Sequence, residues 1–476
     1  MRRRLPLLAL LLGVLPTALG AQEGRAGAAV PRDSIVAITG VTVVDVERGR
    51  HLRDRTVLVR GGRIASVGPA GAARVPAAAR RVDGRGRYLM PGLWDMHVHV
   101  SGIPDRYLPL LLAHGVTGAR EMHEPMGLDS LRAWRRAIAD GTRPGPRLVF
   151  AGPLVDGEGS RWPGAAIAAT PEAGRRIVDS LRAAGADYIK VYNLLRPEVH
   201  AAIAARAREL GLPFDGHAPQ LVGMAAASDA GQRTLEHLPP DDVRLECSPR
   251  GAELRAARGA TTVRPPAEWG RALEASQDST RCAAFWARLA RNGTWVTPTI
   301  VNDLMRQLPA LARARSDRWR WLPDGVRATF DSLTRGAPPG DTVLAANARM
   351  RWGLATLPRM RAAGVRLLAG TDCTTARVNV CGPALHDELA LLVAHGLTPA
   401  EALRAATLDP ARVFGAVDTL GTVAAGRVAD LLLLDADPLA DVRNTTRIRA
   451  VVAAGRLYDR RALDALLAAA AAVAPR

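Results

Sequence analysis

Six side chains able to ligate a metal stand at the ends of short apolar runs: His97, His99, Lys190, His217, His237 and Asp372. One residue separates His97 from His99, so in a strand both imidazoles share a face. Asp95 shares that face one step deeper, in a supporting position. A lone His-x-His is weak, because such pairs also arise in cores and on surfaces. Lys190 adds a separate argument. The chain has 64 basic residues, and Lys190 is its only lysine. It lies in Ala-Asp-Tyr-Ile-Lys-Val-Tyr, an apolar, β-branched run that reads as a buried strand. On a surface, arginine would serve equally well. A buried amine, unlike a guanidinium, can lose its proton. The neutral amine can attack carbon dioxide and become a carbamate, an anionic ligand with two oxygens. The plainer alternative is an ion-paired or snorkelling lysine. Imidazole and carboxylate both suit zinc at about 2.0–2.2 Å. Six such groups exceed the needs of one tetrahedral ion. Two ions about 3.5–4 Å apart, bridged by a Lys190 carbamate, would use them all.

These groups must be carried to one point, and the order of elements offers a way. After Met90-Pro91-Gly92, strand-like runs alternate with amphipathic stretches rich in Ala, Leu and Arg. Strands are predicted at 93–99, 116–122, 147–151, 188–192, 213–217, 234–237, 294–299 and 367–372. This rhythm predicts an α/β fold, a (β/α)8 TIM-like barrel over 89–416, with its chemistry at the carboxyl ends of the strands. A doubly wound sheet is the alternative, but the Gly-rich turn expected after its first strand is missing. Before the barrel, β runs are predicted at 35–39, 41–45, 56–60 and 63–67, with Gly40 and Gly61-Gly62 as turns. β character returns at 430–435 and 449–455. A pair of strands alone is marginal. Residues 34–88 and 417–460 are therefore expected to form one small composite β-sandwich domain from both chain ends, with the barrel inserted between them. Residues 461–476 read as a helical tail.

The first 20 residues read as a signal peptide. Arg2, Arg3 and Arg4 precede a short apolar stretch, and Ala18-Leu19-Gly20 suits cleavage before Ala21. The apolar stretch is too short to span a bilayer comfortably. The mature chain is expected to be exported, periplasmic or secreted, without stable membrane insertion, and to begin with a disordered segment at 22–33. Export permits disulfides. Cys247, Cys282, Cys373 and Cys381 allow three connectivities, and local spacing favours Cys247–Cys282 with Cys373–Cys381. The lack of a Cys-x-x-Cys pair argues against a cysteine zinc site.

The chain resembles the amidohydrolase superfamily in Pro91-Gly-Leu-Trp-Asp-Met-His-Val-His99, Lys190, His217, His237 and Gly370-Thr-Asp372. Gly421-Thr-Val-Ala-Ala-Gly-Arg-Val-Ala-Asp430 matches as well. The likeness spans about 34 to 460, and the motifs agree in order and strand placement. It implies a barrel with a composite β domain and a binuclear, usually zinc, centre. The Lys190 motif is most similar to the imidazolonepropionase-like branch that includes Xaa-Pro and Xaa-Arg dipeptidases; imidazolonepropionases themselves lack the bridging lysine. On this reading one ion takes His97, His99, the N6-carboxylated Lys190 and Asp372. The other takes His217, His237 and the same carbamate. A water between two cations loses its proton near neutral pH. Asp372 would accept that proton and pass it to the leaving amine, and the Tyr192 hydroxyl would steady the developing oxyanion. The alternative for Tyr192 is packing at the barrel rim. His123, beside Glu121 and Glu124, is a candidate for the substrate pocket. His386 and Glu388 are expected to start or brace a helix. His51, His114, His200 and His395 read as ordinary, and Glu236 as structural. An insertion over 301–341 carries Arg313, Arg315, Arg318, Trp319, Arg320 and Trp321. It could be a lid with an Arg fork for a carboxylate, or an exposed amphipathic helix.

Composition is that of a globular protein, 48% apolar and 23% charged. The net charge of +18 is spread along the chain without aromatic interleaving, which argues against nucleic acid. The expected function is metal-dependent hydrolysis of C–N bonds in small amides, such as N-acyl amino acids or dipeptides. A lactonase or phosphotriesterase on the same centre is the alternative, and an inactive exported binding protein a distant one. The expected partner is a small-molecule amide or dipeptide, and a homo-oligomer is left open.

Overall fold

The computed structural model describes residues 34–72, 74–261, 265–307, 309–336, 347–374 and 379–472. The predicted leader and the segment at 22–33 lie outside the described residues. Five strands come first: β1 (Val36–Asp45), β2 (Arg50–Arg60), β3 (Arg63–Pro69), β4 (Arg80–Asp83) and β5 (Tyr88–Pro91). Gly40, expected as a turn between two strands, does not end one. It sits at φ 68° inside β1, where the pairing with β2 shifts register between Ile38 and Val41. A glycine can supply that conformation as a bulge while the strand continues.

The barrel strands are β6 (Leu93–Val98), β7 (Val116–Glu121), β8 (Arg147–Phe150), β11 (Ile189–Val191), β12 (Phe214–Gly216), β13 (Thr234–Glu236), β14 (Trp295–Thr297) and β15 (Arg366–Leu367). Two short strands, β9 (Val155–Asp156) and β10 (Ala166–Ile167), follow β8. Neighbouring barrel strands pair in parallel. The Asp187 N–H donates to the Phe150 carbonyl at 2.9 Å, joining β8 to the start of β11. The Met96 N–H donates to the Ala369 carbonyl at 2.9 Å, and Val98 bridges Cys373, joining β6 to the segment after β15. The ring therefore closes. Helices cover it from outside. One of them, Pro171–Ala184, shows why these stretches are helical. Thr170 caps the Ala173 N–H, Pro171 starts the helix, Gly185 ends it in the left-handed conformation, and Val178 and Leu181 face the core.

The chain returns through β16 (Leu431–Leu434), β17 (Ile448–Ala453) and β18 (Arg456–Asp459). β16 pairs antiparallel with β5, so both chain ends build one sheet in the order β18-β17-β16-β5-β1-β2-β3, with β4 on β1. The sheet curls over its own core of Val36, Ile38, Val57, Leu431, Leu433 and Val452. Hydrogen bonds from Ile64 to Arg427 and from Ala429 to Gly62 bring its far edge back. The tail forms a helix, Arg460–Ala472, against the helix Pro104–Ala113. Among the described residues no helix is long and apolar enough to cross a membrane.

Candidate metal centre

The ends of the barrel strands carry the candidate ligands to one place. His97 and His99 leave β6 on the same side, with ring centroids 5.3 Å apart. His237 lies 4.9 Å from His97 and 4.7 Å from His217, centroid to centroid. Asp372 Oδ1 is 3.4 Å from His97 Nε2 and 3.1 Å from His99 Nε2. Lys190, at 1% exposure, lines the same cavity. Ligand atoms of His97, His237 and Asp372 all fall within 4.8 Å of one another.

The backbone is bent to achieve this. His237, Thr299 and Asp372 take φ values of 67°, 48° and 51°, left-handed conformations that side chains other than glycine avoid. Each costs about 1–3 kcal/mol and persists only where the surroundings enforce it. Two glycines make room. A Cβ on Gly370 would lie 2.9 Å from the His97 nitrogen, and one on Gly216 would lie 2.2 Å from the Val191 carbonyl oxygen.

Three of the imidazoles are anchored through Nδ1. His97 donates to Glu236 at 2.9 Å and His217 to Asn193 at 2.8 Å, and His237 Nδ1 shares a hydrogen bond with the Thr299 hydroxyl at 2.6 Å. With the proton on Nδ1, each Nε2 keeps its lone pair for a cation, the arrangement expected behind metal-ligating histidines. Burial holds His97 and His217 well below the usual imidazole range, in the neutral form that ligates. Burial alone would raise Asp372, but the neighbouring His97 and His99 hold it well below the carboxylate range. Asn302 also donates to its Oδ2 at 2.6 Å. Burial pushes the Lys190 ammonium down to about 8. This donor set, neutral imidazoles with a carboxylate and a readily deprotonated amine, fits divalent cations.

A buried network below the centre supports it. Arg120 is 0% exposed and spans the barrel interior. Its guanidinium donates to the Met96 carbonyl at 2.7 Å, Asp215 at 3.1 Å, Thr234 at 2.9 Å and Glu236 at 2.7 Å. Glu236, read from sequence only as structural, orients His97 and is kept ionised by Arg120. Asp95 accepts from Thr371 Oγ1 at 2.7 Å and from the His97 N–H at 3.2 Å, tying β6 to the segment that ends in Asp372. Burial raises its carboxyl to about 7.

The cavity over these residues measures 710 Å³. Tyr192 lines it, its ring 4.1 Å from that of His217. Trp162, which the sequence reading passed over, lies nearly parallel to the His99 ring at 6.2 Å. His123, expected at the substrate pocket, stands behind its wall instead. Its Nδ1 accepts from the Leu154 N–H at 3.2 Å and its Nε2 donates to the Pro163 carbonyl at 3.1 Å. Both nitrogens are used in holding the segment that carries Leu154 and Trp162. Arg315 and Arg318 pair with Asp387 at 2.7 and 2.6 Å, Arg313 pairs with Asp331, and Trp319 and Trp321 are buried. Among the described residues the guanidinium in the cavity wall is Arg258, paired with Asp242 at 2.7 Å. Residues 308 and 337–341 of the insertion lie outside the described residues. His386 bridges Thr445 and the His114 carbonyl, away from the centre. Cys247–Cys282 and Cys373–Cys381 are both bonded, the second directly after Asp372.

Residues 88–458 match the Amidohydrolase family. An adenine deaminase of Rubrobacter xylanophilus is 27% identical over 87% of this chain, and the chain spans 56% of that protein's length. The fold is similar to that of a bottromycin amidohydrolase, with TM-score 0.72, 27% identity and coverage of 94% of this chain and 92% of the other. It is also similar to a candidate prolidase of Bifidobacterium longum, with TM-score 0.67, 26% identity and coverage of 93% and 100%.

Proposed function

The chain belongs to the amidohydrolase family and is a hydrolase; from this we propose that it cleaves amide C–N bonds of small substrates, dipeptides or N-acyl amino acids, at a binuclear divalent metal centre. The carrying observation is the convergence of imidazoles with anchored Nδ1 atoms on Asp372 and the buried Lys190. His97, His99 and Asp372 would hold one ion and His217 and His237 the other, with Lys190 carboxylated on its amine as the shared ligand. Zinc suits these donors. When bound, the ions supply Lewis acidity, which polarises a carbonyl and makes a water acidic.

The protein's own groups do the rest. Asp372, steadied by Asn302, accepts the proton of the attacking water and returns it to the leaving amine. The Tyr192 hydroxyl donates to the substrate carbonyl oxygen as charge develops there. Trp162, Leu154 and Met350 form apolar wall and exclude water, and Arg258 receives a substrate carboxylate. The similarity to a structure named as a candidate prolidase supports the dipeptide class. The two disulfides support export to a periplasm or outside the cell.

The deciding experiment is turnover of metal-loaded enzyme on Xaa-Pro and Xaa-Arg dipeptides, N-acyl amino acids, adenine, lactones and phosphotriesters. Adenine represents the relative named adenine deaminase. The proposal expects amides to lead with chelator-sensitive activity; turnover confined to adenine, lactones or phosphotriesters would overturn it.

A further inference from the structure

Away from the metal centre, at the amino-terminal ends of β7 and β8, lies a second cavity of 300 Å³. It occupies the seam between barrel and β domain. Arg135, Arg143 and Arg147 come from the barrel, and Asp430 and Arg456 from the segments flanking β16 and β17. Asp187 completes the charged wall, so four guanidinium groups line the cavity with two carboxylates.

The arginines are unequally satisfied. Arg135 pairs with Asp187, and Arg143 with Asp105. Arg456 donates to the Ala139 carbonyl at 2.9 Å and has no carboxylate partner among the described residues. Arg147 reaches Asp430 only at 3.4 Å, and its buried Nε has no partner among the described residues. The buried Oγ1 of Thr117, in the same wall, is likewise unpartnered. Like charges gathered in a half-enclosed seam repel more strongly than in water, and buried polar groups left unpaired are costly. An anion relieves the repulsion.

We propose that this seam binds a small oxyanion, a phosphoryl or carboxylate group, between Arg147 and Arg456. Guanidinium forks match such groups with two parallel hydrogen bonds. The volume far exceeds the roughly 30 Å³ taken by one water, so the group can carry a small body with it. Arg147 belongs to the barrel and Arg456 opens β18 of the β domain, so the occupant ties the two domains together.

The test is calorimetric titration of the metal-loaded enzyme with inorganic phosphate and, separately, with succinate, at constant ionic strength. Inhibition of hydrolysis is measured in parallel, to account for anion reaching the metal centre. Wild type is expected to show one binding site more than Arg147→Met and Arg456→Met, whose activity and inhibition constants are unchanged. Saturating anion raises the wild-type melting temperature by about 2–4 °C, and the variants lose that rise. If Arg456→Met fails to fold, Arg147→Met, with a side chain 39% exposed, carries the same comparison. Tighter phosphate identifies a phosphoryl ligand, and tighter succinate a carboxylate; either supports the site. Isotherms identical between wild type and Arg147→Met, or no binding beyond the metal centre, overturn it.

Discussion

At the residue scale, Lys190 carries the largest consequence. Burial holds its ammonium down to about 8, below the usual lysine range. Only the free amine attacks carbon dioxide, so carboxylation should quicken as pH rises through about 8. Metal-free protein given 13C-bicarbonate is expected to show a carbamate carbon resonance that Lys190→Ala lacks. The variant should lose at least ~100-fold in kcat/KM and recover part of it with short carboxylic acids. The sign for stability is also defined. Between about 8 and 10.5 the unfolded chain holds the proton that the folded chain has released. Unmodified, metal-free protein therefore gains stability as pH rises across that window. Arg120 provides a second test. Removing it as Arg120→Ala strands Glu236, 3% exposed, without its cation, while Asp215 keeps Arg233 at 2.6 Å. A loss of about 3–5 kcal/mol is expected in denaturant unfolding.

At the scale of elements, the helix Ile300–Gln307 couples packing to chemistry. Glu388, buried in the helix Pro383–Ala394, accepts from the Ile300 N–H at 3.1 Å and the Val301 N–H at 2.8 Å. The next residue, Asn302, holds Asp372. Glu388→Ala should cost about 1–3 kcal/mol and lower kcat through a misplaced Asp372, with substrate affinity less affected; steady-state kinetics beside unfolding curves check both. The disulfides separate stability from activity. Cys247–Cys282 closes 35 residues and Cys373–Cys381 closes 8. Chain entropy assigns about 3.8 and 2.5 kcal/mol to them. Replacing the first pair with serine should lower the denaturation midpoint more. Replacing the second should lower activity more, because Cys373 follows Asp372.

At the scale of the molecule, the barrel depends on a domain assembled last. β5 lies between β1 and β16, and the curled sheet draws its core from both chain ends. Ending the chain after residue 429 removes β16 to β18 and exposes Leu89 and Met90, both 0% exposed in the intact fold. Such a truncation is expected to yield little soluble protein, and what is soluble should lack the cooperative unfolding of the full chain. Sedimentation and near-ultraviolet circular dichroism would show it.

The barrel rhythm, the β sheet built from both chain ends and the candidate ligand residues were legible in the chain, because period, turn residues and strand-end position are local properties. His97 and His99 share a face by strand geometry alone, and a single lysine among arginines marks itself. Tertiary structure alone decided what stands behind and across from these groups. Arg120 meets Glu236 across 116 residues, His97 meets Glu236 across 139, and His237 meets Thr299 across 62. Such partners carry no shared local pattern. His123 was drawn toward the pocket by its place at a strand end, yet the backbone groups of Leu154 and Pro163 claim both its nitrogens. Position along a strand says which way a side chain can point. Only the packed fold says which neighbour reaches it first, because hydrogen-bond competition is settled between segments distant in sequence.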